Sequence, residues 1–445
     1  MARLGRPTIR PAMDPRKATQ GPGTAAAGSP RRLVPTKAKH RTSVVVLRDP
    51  QALSAFVPAW EELAAAALEP NVFYEHWMLL PALEAFGKDI AVVLVLLHDP
   101  HNPDAPAKLG GLFPLEPVHR FRKLKVSAVS LWQHLHCYVC TPLVRADAAK
   151  ECLVEFFRWF RSGGASASLV ELGCISGDGP FNKMLIDVTN ELGLRNCITD
   201  IFTRGLWHAG YDKDTDPESA VSGDLRRRLR RKEKRLSERG RVEHLEMGQE
   251  DDVARWIDEF LRIEASGWKG QRGSALGSSE RGRRYFAEIV TSAFRRDRLL
   301  MLGLDFDGRP IARRCAFVAG EGSFAFKTAY DEEFADFSPG AMLELDSIRQ
   351  LQTLPGVRWM DSCATTDNFL VNRLSNERKT IQSLAIGTGA LGELLVSGLP
   401  LLRWTTRRIL KMFSADIPGD SAAKTQDPWA AQNLTGMKEA KTCKP

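Results

Sequence analysis

The chain has no stretch approaching the roughly 18 uninterrupted apolar residues that a membrane-crossing helix needs. Its longest apolar run, Ile90–Leu97, has the length of a buried strand. The eight cysteines are scattered through 445 residues. That pattern is no disulfide framework and predicts a reducing compartment, the cytoplasm. Acidic residues are nearly missing from positions 1–41, where ten Lys or Arg stand against Asp14 alone; this net +9 leaves −1 for the remainder of a chain whose total is +8. The basic character therefore belongs to a tail and does not mark the folded body as a nucleic-acid binder. The tail also lacks the apolar stretch of a secretory signal. Its Pro, Gly, Ala and Arg cannot bury enough surface to offset ordering entropy, which predicts disorder for 1–41. No repeat of fixed period is present.

What the chain does have is ample apolar content, 43% of its residues, enough for two cores at this length. In the first half the patterns predict strands at Val44–Leu47, Ile90–Leu97, Leu109–Glu116, Val126–Trp132, Ser168–Leu172 and Ile198–Leu206. Helices are predicted at Gln51–Leu68, Tyr74–Phe86 (with Asn71 as N-cap), Ala148–Arg161 and Phe181–Leu192. A polar segment, 209–222, reads as a linker. The second half predicts helices Asp224–Arg239, Asp251–Ser266, Gly282–Arg295, Pro339–Gln352 and Asp367–Leu374. Its strands are Val242–Met247, Leu299–Phe306, Ile311–Val318, Ser323–Tyr330, Val357–Met360 and a closing Thr380–Ile386. Asp307-Gly308 between two of these is a two-residue hairpin signal. The two halves share an order of elements, which predicts an α+β fold duplicated in tandem, with mixed central sheets, over 42–208 and 223–390, followed by a tail at 391–445.

Two stretches carry the chemistry. Ser338 reads as an N-cap and Pro339 as a first helical residue, and Gly340 and Ala341 add no bulk. Such a helix start offers backbone N–H groups and a positive dipole end to a phosphate, although an ordinary capped helix has the same spacing. Glu264-Ala265-Ser266-Gly267-Trp268-Lys269-Gly270 presents an aromatic face and an ammonium between glycines, either to a ligand or as a helix end with Trp268 packed inward.

The run Glu264-x-x-x-Trp268-Lys269-Gly270, the segment Lys327-x-x-Tyr330-Asp331-Glu332, the Ser338-Pro339-Gly340 helix start and Asp361-Ser362-Cys363 resemble the CelD-like branch of the GNAT acyltransferases. That branch is linked to cellulose and exopolysaccharide production and related to the FemAB-like aminoacyl transferases. Phe73-Tyr74-Glu75, Leu83 and Thr141-Pro142-Leu143 fit the same pattern. The resemblance spans 43–390 and implies two tandem GNAT folds. It implies an acyl-CoA donor, or an aminoacyl-tRNA as in FemAB-like relatives, and a sugar or polymer-precursor acceptor. Direct transfer of this kind needs no metal and no enzyme nucleophile. It needs a base for the acceptor and an acid for the leaving thiolate. Glu264, Asp331 and Asp361 are the candidate bases and Tyr330 the candidate acid. Trp268, Lys269, Lys327, Ser338, Gly340 and Ala341 are the candidate donor-binding residues. Lys327 and Asp331, four apart on one strand, are expected to share a face beside the donor's phosphates or else to pair with each other. One departure from the family is the missing pyrophosphate loop of the form Arg/Gln-x-x-Gly-x-Gly/Ala. It leaves open a scaffold that keeps the fold without turnover.

Three further segments stand out. His134-Leu135-His136-Cys137-Tyr138-Val139-Cys140 has zinc-ligand residue types, but no second pair at matching spacing follows. A cleft-lining strip with His136 as a polar contact fits better. The helix Leu225–Arg239 has nine Lys or Arg against two Glu, with Leu225, Leu229 and Leu236 on one face. It is either a solvated face or a grip on an anionic partner. Leu401–Phe413 reads as a basic amphipathic helix that docks on the body or lies on a membrane surface.

Overall fold

The protein is seen in a computed structural model that describes residues 40–400 except 119, 122–125, 210–220, 268–269, 271–272, 274, 366–373 and 376. The basic tail, most of the 209–222 segment, most of the helix expected at Asp367–Leu374 and the segment Leu401–Phe413 lie outside the described residues.

The first half opens with strand β1 (Arg41–Leu47), short helices α1 (Pro50–Ser54) and α2 (Val57–Ala65), and helix α3 (His76–Phe86). The single helix expected over Gln51–Leu68 is two. Pro58 has no N–H with which to continue a ladder and sits in the first turn of α2. The Asn71 side chain accepts from the Phe73 N–H at 3.0 Å and so caps the 3-10 turn Val72–Tyr74, while Glu75 holds the N-cap position of α3. Then come β2 (Ala91–His98), β3 (Lys108–Val118), β4 (Ala128–Leu131), β5 (Leu143–Val144), α4 (Ala149–Arg161), β6 (Leu169–Ser176), α5 (Pro180–Glu191) and β7 (Asn196–His208). The second half comprises α6 (Gly223–Ser237), β8 (Val242–Glu246), α7 (Val253–Ser266), α8 (Glu280–Phe294), β9 (Leu299–Phe306), β10 (Arg309–Ala319), β11 (Gly322–Tyr330), α9 (Pro339–Leu351), β12 (Trp359–Asp361) and β13 (Glu377–Gly387). Asp307 and Gly308 both have positive φ, as the hairpin signal between β9 and β10 requires.

The fold is α+β, and its strands form one mixed 13-stranded sheet in the order β1-β2-β3-β4-β6-β13-β7-β12-β11-β10-β9-β8, with β5 paired to β3. Replacing each first-half strand by its second-half counterpart and reversing the order gives the same list. A pseudo-two-fold axis therefore runs between β13 and β7. In each half, four antiparallel strands are followed by a short parallel pairing, β4 with β6 and β11 with β12. The last strand of each half is exchanged. β13 pairs with β6 of the first half, β7 pairs with β12 of the second, and the two pair with each other from Glu377↔Leu206 to Ile386↔Asn196. β13 thus does not close the second half's own sheet, as its place in the chain suggested. Antiparallel pairing on both sides completes its backbone hydrogen bonds and buries Ile381, Leu384 and Ile386.

One hydrophobic cluster accordingly runs from Leu53 to Ile386 through both halves. Helix α4 buries Leu153, Phe156, Phe157 and Phe160 along one face, and the Phe156 ring stacks on Phe113 of β3 at 4.0 Å. Each such side chain contributes about 1.5–3 kcal/mol. Helix α7 packs on α8, and α8 on α3 of the other half. Among the described residues no helix is long and apolar enough to cross a membrane.

Candidate functional site

Strand β11 pairs with β12 only from Gly322↔Trp359 to Phe324↔Asp361. Beyond Phe324, β11 continues to Tyr330 against β10 alone, while the chain after Asp361 turns through Ser362 and Cys363. The two parallel strands part at their carboxyl ends, the place where α/β sheets commonly bind ligands.

A β-bulge sets which side chains of β11 turn to which neighbouring helix. Ala325 pairs with Ala316 and Lys327 with Cys315, which leaves Phe326 as an extra residue. Phe326 therefore packs on Phe286 of α8 while Lys327 turns to α7. There the Lys327 ammonium lies 3.0 Å from Glu264 Oε1, with the two side chains only 7% and 0% exposed. The other Glu264 oxygen accepts from the Leu276 N–H at 2.8 Å. Thr328 goes to the opposite face, where its hydroxyl and the Arg314 guanidinium both donate to Glu344 of α9, at 3.2 and 2.8 Å.

Lys327 and Asp331 make separate contacts, because β11 ends at Tyr330. Asp331 lies past the strand end, where Oδ1 accepts from the Glu333 N–H at 3.1 Å to cap the 3-10 turn Glu332–Phe337, and Oδ2 pairs with Arg309. The two residues do not pair with each other. Both Asp331 carboxylate oxygens are engaged, one in the turn cap and one with Arg309.

Asp361 is fully buried and doubly compensated. Arg204 of β7 donates to it through Nη2 at 2.8 Å and brings Nε within 2.6 Å of its other oxygen, and Lys379 of β13 lies 3.1 Å away. Burial pushes its pKa up, but Arg204 and Lys379 outweigh that and hold the carboxyl well below the usual carboxylate range. A carboxylate so held is a weak proton acceptor, so Asp361 serves as the anion that ties the exchanged strands β7 and β13 to β12.

The start of α9 also differs from its expected form. Ser338 has φ +58 and its side chain makes no capping bond. Its hydroxyl instead accepts from the Lys232 ammonium of α6 at 2.8 Å. The Ala341 and Met342 N–H groups both donate to the Ser338 carbonyl, and Pro339 has none, so Gly340 supplies the amide of this first turn with no backbone partner among the described residues. A Cβ at Gly340 would meet the Tyr330 ring at 3.3 Å, which places Tyr330, 36% exposed, over the helix start. Arg235 and Arg239 lie over the Phe337 ring at 5.8 and 4.9 Å. The basic helix, read in the sequence as either a solvated face or a grip on an anionic partner, thus supplies cations beside α9. Trp268 and Lys269 lie outside the described residues.

The His134–Cys140 strip is core rather than cleft wall for its histidines. His134 stacks on Phe86 at 5.2 Å, and His136 stacks on Tyr285 at 6.1 Å. Burial lowers the His134 pKa to about 3, so its ring is neutral. Cys137 and Cys140 are 3.8 Å apart through sulfur. Among the described residues no group of three or more His, Cys, Asp and Glu is positioned to hold a metal ion.

Residues 223–369 match the family described as the acetyltransferase (GNAT) domain. Among solved structures, the chain is similar to FemX at 10% identity and a TM-score of 0.47, over 77% of this chain and 96% of that one. It is similar to L-PGS from Bacillus licheniformis at 13% identity and a TM-score of 0.44, over 80% and 96%. It is also similar to a tandem GNAT protein from the clavulanic acid biosynthesis pathway at 13% identity and a TM-score of 0.39, over 78% and 99%. The comparison with curated proteins returns no match.

Proposed function

We propose that this protein is a GNAT-type acyltransferase, built as two tandem GNAT-like domains, that moves an acyl group from acyl-CoA to an amine or hydroxyl at the cleft between β11 and β12. The observation that carries the reading is the meeting of α6 with the start of α9. Lys232 reaches Ser338 beside the Gly340 amide, a combination of cation and helix dipole suited to the donor's phosphates. It does so without the glycine-rich loop usual in the family. From there the donor runs down the cleft, and its thioester lies near Lys327 and Glu264. The acceptor nitrogen or oxygen attacks the thioester carbonyl carbon, Glu264 takes the acceptor's proton, the C–S bond breaks and the thiolate leaves. The resemblance to the CelD-like branch favours a sugar or polysaccharide precursor as acceptor and a cytoplasmic site of action.

A second reading, an aminoacyl-tRNA donor, draws on the outward face of α6, where Arg227, Arg231 and Lys234 are exposed. Calorimetry separates the readings. Titration with acetyl-CoA and longer acyl-CoAs should give saturable binding that weakens with salt. Binding of a tRNA and of no CoA thioester supports the second reading, and binding of neither leaves a scaffold.

A further inference from the structure

After β13 the chain forms a helix at residues 390–400. Its inner face is settled. Val396 and Leu399 are buried in one cluster with Ala385 of β13, Leu169 of β6, Ala128 of β4 and Phe121. Its outer face is bare. Leu391 and Leu394 stand three apart, on one side of the helix, and are 53% and 71% exposed. Leu394 is the most exposed large apolar side chain among the described residues. A pair on one helix face, continued in sequence by Leu401, Leu402 and Trp404, is a patch rather than a scatter.

The surroundings are basic. Arg120 is exposed and directly precedes the buried Phe121 that anchors its loop to the helix. Arg195 is also exposed, and its carbonyl accepts from the Gly387 N–H just before the helix. The sequence after Pro400 adds Arg403, Arg407, Arg408 and Lys411, and no acid occurs between Glu393 and Asp416. Glu393 itself is tucked back toward the body, where a Cβ at Gly387 would meet its Cγ at 2.9 Å.

One kind of partner satisfies leucines and cations together. A second copy of this chain would cover the leucines but bring like charges face to face. A nucleic acid would pair with the cations and leave the leucines in water. A bilayer with anionic headgroups offers hydrocarbon directly beneath phosphates, which matches both.

We propose that the outward face of the helix at 390–400, continued by the basic sequence 401–413, docks the protein on an anionic phospholipid surface. Leu391 and Leu394 enter the boundary between headgroups and acyl chains. Arg120, Arg195 and the cations beyond Pro400 pair with lipid phosphates. A small apolar anchor holds a protein at a bilayer only weakly, and the basic residues supply the second, salt-sensitive part. Neither the start of α9 nor the Glu264–Lys327 pair takes part, so the inference stands apart from the acyl-transfer reading.

Flotation of the full-length protein with vesicles tests it. Vesicles of phosphatidylglycerol mixed with phosphatidylcholine should carry the protein, vesicles of phosphatidylcholine alone should not, and added salt should release it. Leu391→Ser with Leu394→Ser should weaken vesicle binding at least about tenfold. The melting temperature should not change, because both side chains are exposed. Leu391→Phe with Leu394→Phe keeps the face apolar and should keep the binding. Arg227→Gln with Arg231→Gln, on α6, should leave it within about twofold. No binding to the anionic vesicles, equal binding to the neutral ones, or binding that survives the two serines overturns the proposal. So does loss of binding in the α6 variant alone, which would assign the lipid contact to that helix. A lower melting temperature in the serine variant, or its change from dimer to monomer in sedimentation, also overturns it, because the leucines would then be covered by this chain or by a second copy.

Discussion

The Lys232 ammonium lies 2.8 Å from the Ser338 hydroxyl, and this one contact joins the basic helix α6 to the helix start proposed to hold the donor's phosphates. Lys232→Met should weaken acetyl-CoA binding about tenfold, the worth of one charge-assisted contact. It should also reduce the salt dependence of binding, since exposed charge contacts are screened over about 8 Å at physiological ionic strength. Arg227→Gln, on the outward face, should leave acetyl-CoA affinity within about twofold. Calorimetry at two salt concentrations checks both, and equal losses from the two variants would point to a diffuse field rather than a site.

Asp361→Asn should act on stability. Removing one partner from a buried ion pair leaves Arg204 and Lys379 uncompensated and costs about 3–5 kcal/mol. The sign with pH follows from the depressed folded-state pKa. The stabilisation is full above the unfolded carboxyl value near 4 and is lost as pH falls through the folded value. Wild-type melting temperature should therefore drop on acidification below about pH 4, while the variant, already lower, should lose less over the same range.

The duplicated order of elements was legible because each half repeats the same switches of hydrophobic period, and the Asp307-Gly308 turn because both positions need positive φ. The strand exchange was not. Ile381, Leu384 and Ile386 require burial, and nothing local says against which half. The role of Asp361 was hidden for a related reason, since its partners lie 157 residues before it, on β7, and 18 after it, on β13. An Asp-Ser-Cys run looks the same whether the carboxylate is a base or an anchor. The expectation that Lys327 and Asp331 work side by side assumed that the strand runs on, whereas it ends at Tyr330 and Asp331 caps the turn that follows.

Asp331→Asn should leave the release of free thiol from acetyl-CoA, and the affinity for acetyl-CoA, within about twofold. Its carboxylate caps a 3-10 turn and pairs with a half-exposed Arg309. Loss of a cap of this kind costs about 0.5–2 kcal/mol. A collapse of activity with an unchanged melting temperature would return Asp331 to the chemistry.

Lys327→Met and Glu264→Gln test the pair beneath the cleft. Either change alone strands a buried partner, so each should lower stability by about 3–5 kcal/mol. The double variant should recover much of that loss, because both charges are then gone. Denaturant titration of the four proteins gives the coupling. Thiol release, scaled to folded protein, gives the separate chemical part. If Glu264 takes the acceptor's proton, release should stay low in Glu264→Gln and in the double variant while stability returns. Recovery of both stability and rate in the double variant would make the pair structural and move the base elsewhere.

Glu69 gives the final prediction, and here the pH sign is reversed. Its carboxylate lies at the start of α5, and its pKa is pushed up to about 7. Burial is the main cause, opposed in part by Lys379 and by a hydrogen bond from Ser176. One carboxylate oxygen is buried with no partner, so ionising this group inside the fold is unfavourable. A raised folded-state pKa means that the protonated form suits the native state. Stability is then full below the ordinary carboxyl value of 4.5 and declines as pH rises through about 7. Glu69→Gln keeps the shape and removes the charge. At pH 8 it should stabilise the protein by up to about 3 kcal/mol, from a shift of roughly two to three pH units at 1.36 kcal/mol each. At pH 4 it should have little effect, because Glu69 is already neutral there. Thermal melts of both proteins at the two pH values decide the matter. A variant less stable than wild type at pH 8 would mean that the ionised Glu69 is held favourably by Lys379, and that the Lys379 ammonium serves Glu69 as much as Asp361.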